Sequence, residues 1–486
     1  MKTNECSGEF KSIASRLRPR REPGARIIHL AIACVVLKMA ICSKASETND
    51  NAKPTVVRSL LNDRSVSLTR QGDSRQAVLE DPVELCNRAI KHSLAGDYGK
   101  AIADCNDAIR LNSNYAVAYN VRAMVYSSRG DYEKAVADAN VVIRLEPKSG
   151  MGYISRGAVQ EYRGDLNKAI GDYGEAIGRE PKNPLYRSKR ANLLAKNGYF
   201  EKALTDAETA IGLSADSALG YLTRGEVYRL KGDFDRAITD FNKSIQISPE
   251  NPRVYQHRAL VYRNMGETDK AIRDLSESLR LKPDDLDVRL ERATASIDAG
   301  NFPNGIEDCE VVILAAPNNP RAYQLRGNAR AGLGDSERAI ADYDKALRLG
   351  ATNSALFSSR GLTYSRLGDY ERAIVDCKEA VRIETDNVGA YNNLAWLMAV
   401  SPEARLRDGG AAVSNARKAC ELSKWKNPFC LGTLAAAYAE LGKFDEAVKW
   451  QNKSLELTAP RPSEQAKQML ELFKQGKAYH ERQVKR

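Results

Sequence analysis

The 486-residue chain is 43% hydrophobic and 28% charged, and its net charge of +11 sits mainly in the flanks. Residues 1–81 carry 14 Lys/Arg against 9 Asp/Glu and residues 461–486 carry 7 against 3, leaving 53 against 51 between them, so no basic stripe for nucleic acid runs along the middle. Nine cysteines without C-x-x-C spacing, four scattered histidines (His29, His92, His257, His480) and the lack of a phosphate loop, nucleophile elbow or dinucleotide fingerprint leave no metal, cofactor, catalytic or small-molecule site to assign.

Residues 1–45 read as a targeting segment. The basic RLRPRREPGAR precedes the apolar run IIHLAIACVVLKMAIC, which is short for a span of about 20 residues and fits a secretory hydrophobic region, with Ser43-Lys44-Ala45 as a small-x-small cleavage site. Lys38 and His29 interrupt that run, so three fates stay open: export with cleavage, a retained anchor, or a cytoplasmic chain. An exported or envelope location is the expectation, cytoplasmic the alternative, and any membrane contact runs through this segment. Residues 46–81, rich in Ser, Asn, Asp and Arg, read as a linker.

From 82 to 387 one unit repeats nine times. Gly96, Gly130, Gly164, Gly198, Gly232, Gly266, Gly300, Gly334 and Gly368 stand 34 residues apart without a slip, the mark of a single supersecondary unit copied along the chain. In the unit around Gly232, the spacing of Tyr221, Arg224, Gly225 and Tyr228 predicts one helix, and that of Ala237, Asp240, Phe241 and Ser244 predicts a second. The glycine supplies a left-handed turn, and Asp233 sits at the N-cap with its carboxylate free to accept orphan amides. Pro147, Pro181, Pro249, Pro283 and Pro317 stop second helices. A hairpin this small must bury its apolar stripe against its neighbours.

The period breaks after 387. Residues 388–460 hold two divergent units: one helix near Tyr391–Val400, an extended link SPEARLRDGG, a partner helix around Ala411–Leu422, then a unit resuming at Leu431 with Gly442 as turn glycine. Residues 461–486 hold an amphipathic helix, Ser463–Gln475, suited to cap the stack, and a basic tail.

The pattern resembles the tetratricopeptide repeat. The likeness rests on the 34-residue period and an early aromatic. A small residue stands seven before the turn glycine (Ala123, Gly157, Gly225, Gly327, Gly361), alanine five after it, and the unit ends in proline. The stretch from RDGGAAVSNARKACELSKWKNP to WQNKSLEL looks like the closing module of many bacterial members. The resemblance implies an all-α, right-handed α-solenoid superhelix of about eleven hairpins with a C-terminal capping helix. It implies a non-enzymatic scaffold that holds peptide or helical segments of partner proteins in a concave groove. An alternative is an accessory subunit of a cell-envelope or export assembly that tethers a catalytic partner.

A charge pair recurs within the packing stripes. Eight residues before each turn glycine stands an arginine: Arg88, Arg122, Arg156, Arg190, Arg224, Arg258, Arg292, Arg326, Arg360. Eight after it stands an aspartate: Asp104, Asp138, Asp172, Asp206, Asp240, Asp274, Asp308, Asp342, Asp376. Residues equidistant from a hairpin turn lie level, so the two should meet within a repeat or across to the adjoining one. A ladder of partly buried ion pairs would set register; a solvated stripe would add little.

In tetratricopeptide superhelices the first helices line the concave face. Subtracting the packing stripe leaves, as candidate partner-binding residues, Asn120, Met124, Tyr162, Leu222, Arg229, Gln256, Arg263, Gln324, Asn328 and Trp396. Neither the lysine clamp of the chaperone-binding members nor the inward asparagine ladder of the sugar-transferring members is present.

Overall fold

In the computed structural model the described residues are 81–458 and 463–481. The targeting and linker segments expected over 1–81 fall outside them, apart from Asp81. No helix among the described residues is long and apolar enough to cross a membrane, and every element is helical. The described chain forms two compact units that meet in sequence at Pro249 and Glu250, within the stretch whose sequence repeats without a break.

The first unit holds five hairpins: α1 (Pro82–Ala95) with α2 (Tyr98–Leu111), α3 (Ala116–Arg129) with α4 (Tyr132–Leu145), α5 (Met151–Arg163) with α6 (Leu166–Arg179), α7 (Pro184–Lys196) with α8 (Phe200–Leu213), and α9 (Ala218–Lys231) with α10 (Phe234–Ile247). The second unit holds four more regular hairpins: α11 (Pro252–Asn264) with α12 (Thr268–Leu281), α13 (Leu286–Asp298) with α14 (Phe302–Ala315), α15 (Pro320–Gly332) with α16 (Ser336–Arg348), and α17 (Ser354–Arg366) with α18 (Tyr370–Ile383). Two divergent hairpins follow, α19 (Val388–Val400) with α20 (Gly409–Leu422) and α21 (Pro428–Glu440) with α22 (Phe444–Thr458), and then α23 (Glu464–Lys474). Each helix packs on the next within its unit. First helices also touch, as α3 does α1 and α5, and α15 does α13. That brings first helices closer together than second helices, so each unit is an α-solenoid with first helices on its inner side.

All nine turn glycines, and Gly442, have φ between +74° and +89°, a region closed to most side chains. The turn they make satisfies orphan carbonyls: at Gly130 the amides of Gly130 and Asp131 donate to Ser127 and Tyr126, a Schellman arrangement. The following aspartate caps less often than its position implies. Asp233, Asp335 and Asp369 accept an amide three residues on. Asp97, Asp131 and Asp165 make no side-chain cap and face Lys100, Arg129 and Lys168 instead. The more regular caps belong to asparagines before the first helices. Asn183, Asn251, Asn319 and Asn427 each accept an amide two residues on, with proline at the first helical position.

Inside each hairpin the core is a fit of large to small. A Cβ added to Gly157, Gly225 or Gly327 would lie 2.6–2.7 Å from the ring of Tyr173, Phe241 or Tyr343, so glycine makes room for an aromatic nine residues past the turn. Where alanine stands in the glycine's place (Ala89, Ala259, Ala293), the opposed residue is Cys105, Leu275 or Cys309, and all six are buried. The alanines five after the turn, from Ala101 to Ala373, have no exposed surface, since helix backbones meet there.

The divergent end departs in detail. The link after α19 is a short 3₁₀ turn, Ala404–Leu406. It is pinned by Arg407, which donates to the Ser401 carbonyl and to Glu440, both at 2.9 Å. Asp408 caps α20 at 2.9 Å, and Ser463 caps α23. Met469 and Phe473 of α23 are buried in the terminal core and close the apolar end of the stack.

The six described cysteines are free and buried. Burial pushes the thiols of Cys86, Cys309, Cys377 and Cys420 up to about 12 from an ordinary 9.0, and that of Cys105 higher still. The unfolded thiols ionise first as pH rises, so their contribution to stability is present below pH 9.0 and is lost as pH climbs from there towards 12. Peptide-mapped alkylation at pH 8 is expected to find these six positions unlabelled until denaturant is added; native labelling of Cys105 or Cys377 would contradict the burial.

Candidate functional site

The arginine and aspartate of each regular repeat are brought together in all nine cases. Nε and Nη2 of the arginine donate at 2.6–3.0 Å and 2.6–2.8 Å. In eight repeats the two bonds reach both carboxylate oxygens; in the first, both fall on one oxygen of Asp104. The aspartate side chains are 4–9% exposed and the arginines 16–28%, apart from Arg88 at 45%. Bidentate geometry with one partner buried is the strong form of ion pair.

The remaining arginine nitrogen reaches the preceding repeat. Nη1 of Arg122, Arg156, Arg292 and Arg360 donates to Asn106, Asn140, Ser276 and Asp344 at 2.6–3.0 Å, each sixteen residues earlier. One guanidinium thus bolts its own hairpin shut and fixes the distance to the neighbour. Arg187, Arg289 and Arg330 add a second cation to Asp206, Asp308 and Asp342. The hydrogen bond to aspartate raises the guanidinium pKa of Arg122, Arg156 and Arg224 above its ordinary value, so these guanidiniums stay protonated. With their polar atoms spent on each other, Arg122, Asp138, Arg156, Asp172, Arg224, Asp240, Arg258, Asp274, Arg326 and Asp342 are scaffold residues.

The candidate inner-face residues divide into three groups. Asn120 is buried at 3% exposure, so it belongs to the hairpin interior rather than to an open face, unlike Leu222, Gln256 and Gln324 at the same place in their repeats, which are partly exposed. Met124, Tyr162 and Leu222 are half-buried, and burial pushes the Tyr162 hydroxyl up to about 12. The rest are tied to their own chain. Arg229 forks onto Glu226 at 2.7 and 2.8 Å, Gln256 donates to Ser278, Asn328 accepts from Tyr343, and Gln324 and Asn353 exchange two hydrogen bonds.

A lateral series along this face joins one first helix to the next, always from three before one turn glycine to two before the following one. Lys196 meets Glu161 at 3.2 Å, Arg263 meets Asp298 at 3.4 Å, and Arg366 donates to the Ala331 carbonyl at 2.8 Å. The spacing of 35 residues that marks it lies in the sequence but is masked there by changing residue types.

Trp396 is covered by the chain's own tail. Its Nε1 donates to Glu481 at 2.9 Å, and its ring lies 6.2 Å from that of Tyr479. Tyr370, absent from the sequence-based candidates, donates its hydroxyl to the other Glu481 oxygen at 2.9 Å. No periodic signal links Tyr370 to residue 481; only the return of the tail does.

Known sequences agree with the helical periodicity. A TPR repeat model matches residues 225–266, one tetratricopeptide repeat model matches 116–149, 252–285 and 430–460, and another matches 325–388. No curated protein matches the chain. Similar solved structures include a tetratricopeptide repeat protein from Parabacteroides merdae, 22% identical over 52% of this chain and 99% of that one, with a TM-score of 0.41. Yeast Tom70 is 15% identical over 81% of this chain and 95% of its own, with a TM-score of 0.42. The human IFIT1 dimer with PPP-AAAA is 15% identical over 79% and 92%, with a TM-score of 0.45.

Proposed function

Because the chain is a tetratricopeptide repeat protein, a family of interaction scaffolds, we propose that the inner face of its first helices holds an extended or helical segment of a partner protein. The observation that carries this reading is the lateral series of bonds from one first helix to the next (Glu161 to Lys196, Arg263 to Asp298, Ala331 to Arg366). These bonds tie α5 to α7, α11 to α13 and α15 to α17, and so fix the helices that carry partly buried side chains such as Tyr162 and Gln324 before any ligand arrives. A preorganised surface loses less side-chain freedom on binding, and mixed aliphatic and polar character suits a peptide that needs both backbone and side-chain contacts. The chain performs no chemistry in this reading; it positions what it binds.

Photo-crosslinking tests it. The crosslinker p-benzoylphenylalanine is placed at Leu222 or Gln324 on the inner face and at Thr239, exposed on the outer helix α10, and the full chain is irradiated in lysate of its own cells. Polypeptide adducts are expected at the two inner positions at about tenfold the outer yield, a ratio that corresponds to about 1.4 kcal/mol of preferential binding. Equal yields at all three positions would remove the inner face as the binding surface.

A further inference from the structure

The last carbonyls of a helix lack an intrahelical partner and are met by water or by a capping group. At the end of α19 the carbonyl of the fully buried Val400 is met by the backbone N–H of Glu481 at 2.8 Å. The Glu481 carboxylate is then held at both oxygens, by Trp396 Nε1 and by the Tyr370 hydroxyl, each at 2.9 Å. Tyr479 lies against the Trp396 ring at 6.2 Å with planes inclined by 37°, and its hydroxyl accepts from Gln465. His480 Nε2 stands 2.7 Å from Glu440. The three groups that read Glu481 come from two helices, and between them they recognise a backbone amide and a carboxylate, with an aromatic ring seated two residues earlier.

Met469 and Phe473 of α23 are fully buried in the terminal core, whereas Trp396 and Tyr479 pack against it only partly buried, Glu481 remains partly exposed and His480 is exposed. The donors on the Glu481 carboxylate are neutral, so no ion pair holds that side chain. A backbone hydrogen bond combined with pockets for alternate side chains is how extended peptides are recognised. We infer that Tyr370, Trp396 and Val400 form a peptide site for an extended segment with an aromatic residue two places before a glutamate. Residues 479–481 are its resident occupant, and a partner segment of the same pattern enters by displacing them. The site is independent of the inner-face reading and stands or falls without it.

The experiment uses the full chain, as wild type and with Tyr479→Ala plus Glu481→Ala to empty the site. The probe is a fluorescein-labelled peptide of residues 475–486. A site filled by its own tail nine-tenths of the time shows about a tenth of its intrinsic affinity. The emptied chain is therefore expected to bind the peptide at least about tenfold more tightly than wild type does. Adding Trp396→Phe to the emptied chain, or Glu481→Ala to the peptide, should abolish that gain. In the ¹⁵N spectrum of the wild-type chain, Glu481→Gln should shift one of the three indole N–H signals and leave those of Trp425 and Trp450 in place. Equal peptide binding by wild-type and emptied chains would overturn the proposal. So would an emptied chain that binds no peptide: with an unchanged melting temperature the site is not a receptor, and with a lowered one the tail is only part of the cap.

Discussion

Arg156→Leu is expected to destabilise the first unit by about 3–5 kcal/mol, because it leaves a carboxylate buried without its counter-ion. Asp172 is 9% exposed in its side chain and Arg156 28%, so the two halves of the rung are not equivalent. Asp172→Ala strands a guanidinium that keeps its bond to Asn140 and can still reach water. Its cost should sit near about 1–2 kcal/mol, the lower part of the range for an unsatisfied polar group. The double variant Arg156→Leu with Asp172→Leu should recover most of the loss, since replacing a buried pair by apolar side chains often breaks even. Denaturant melts of the four proteins give the coupling energy directly. Two single variants that melt like wild type would reduce the rung to a solvated charge stripe. A double variant as unstable as Arg156→Leu alone would show that the loss comes from packing rather than from charge.

Gly225→Ala tests the large-to-small fit of the hairpin core. Alanine is the better helix former by about 1 kcal/mol, so propensity alone predicts stabilisation. Against that, the new Cβ would stand 2.7 and 2.9 Å from two atoms of the Phe241 ring, which is fully buried. Overpacking of this kind costs about 1–3 kcal/mol, so the clash should win and the variant should melt lower. The array contains its own remedy: where Ala259 occupies the same position, Leu275 faces it. Phe241→Leu added to Gly225→Ala should therefore be less damaging than Gly225→Ala alone. Stabilisation by the single change, or additive losses in the double, would refute steric complementarity between these positions.

Much of this architecture can be read in the letters because each repeat repeats the same local problem. A glycine every 34 residues has to be left-handed, and residues level about a turn have to meet, so the hairpins and the partners of the nine aspartates follow from spacing. The third arm of Arg122, Arg156, Arg292 and Arg360 does not: it reaches Asn106, Asn140, Ser276 or Asp344, so in these four repeats the contact is kept while the letter changes. The cap expected at Asp233 forms, and so do those at Asp335 and Asp369, whereas Asp97, Asp131 and Asp165 in the same place do not cap; the asparagine-proline pairs before α7, α11, α15 and α21 are the more regular caps. The inner face was the hardest part. Asn120 is buried, and Arg229, Gln256 and Asn328 are bound to their own chain, because long side chains choose partners by rotamer and not by register. Trp396 shows the limit most plainly, since its partner lies 85 residues away at the end of a tail that has no period at all.

The central claim is that each hairpin is stabilised by its immediate neighbours, with the arginine rung setting their spacing. Stability in such an array is local and propagates by nearest-neighbour contact. Hydrogen exchange followed by mass spectrometry, on wild type and on Arg156→Leu, measures this directly within the first unit. Faster exchange is expected in α5 and α6, a smaller increase in α3, α4, α7 and α8, and none in α1 and α2. A uniform rise across all of these helices would contradict the account, for it would mean that the unit unfolds as one body around a shared core.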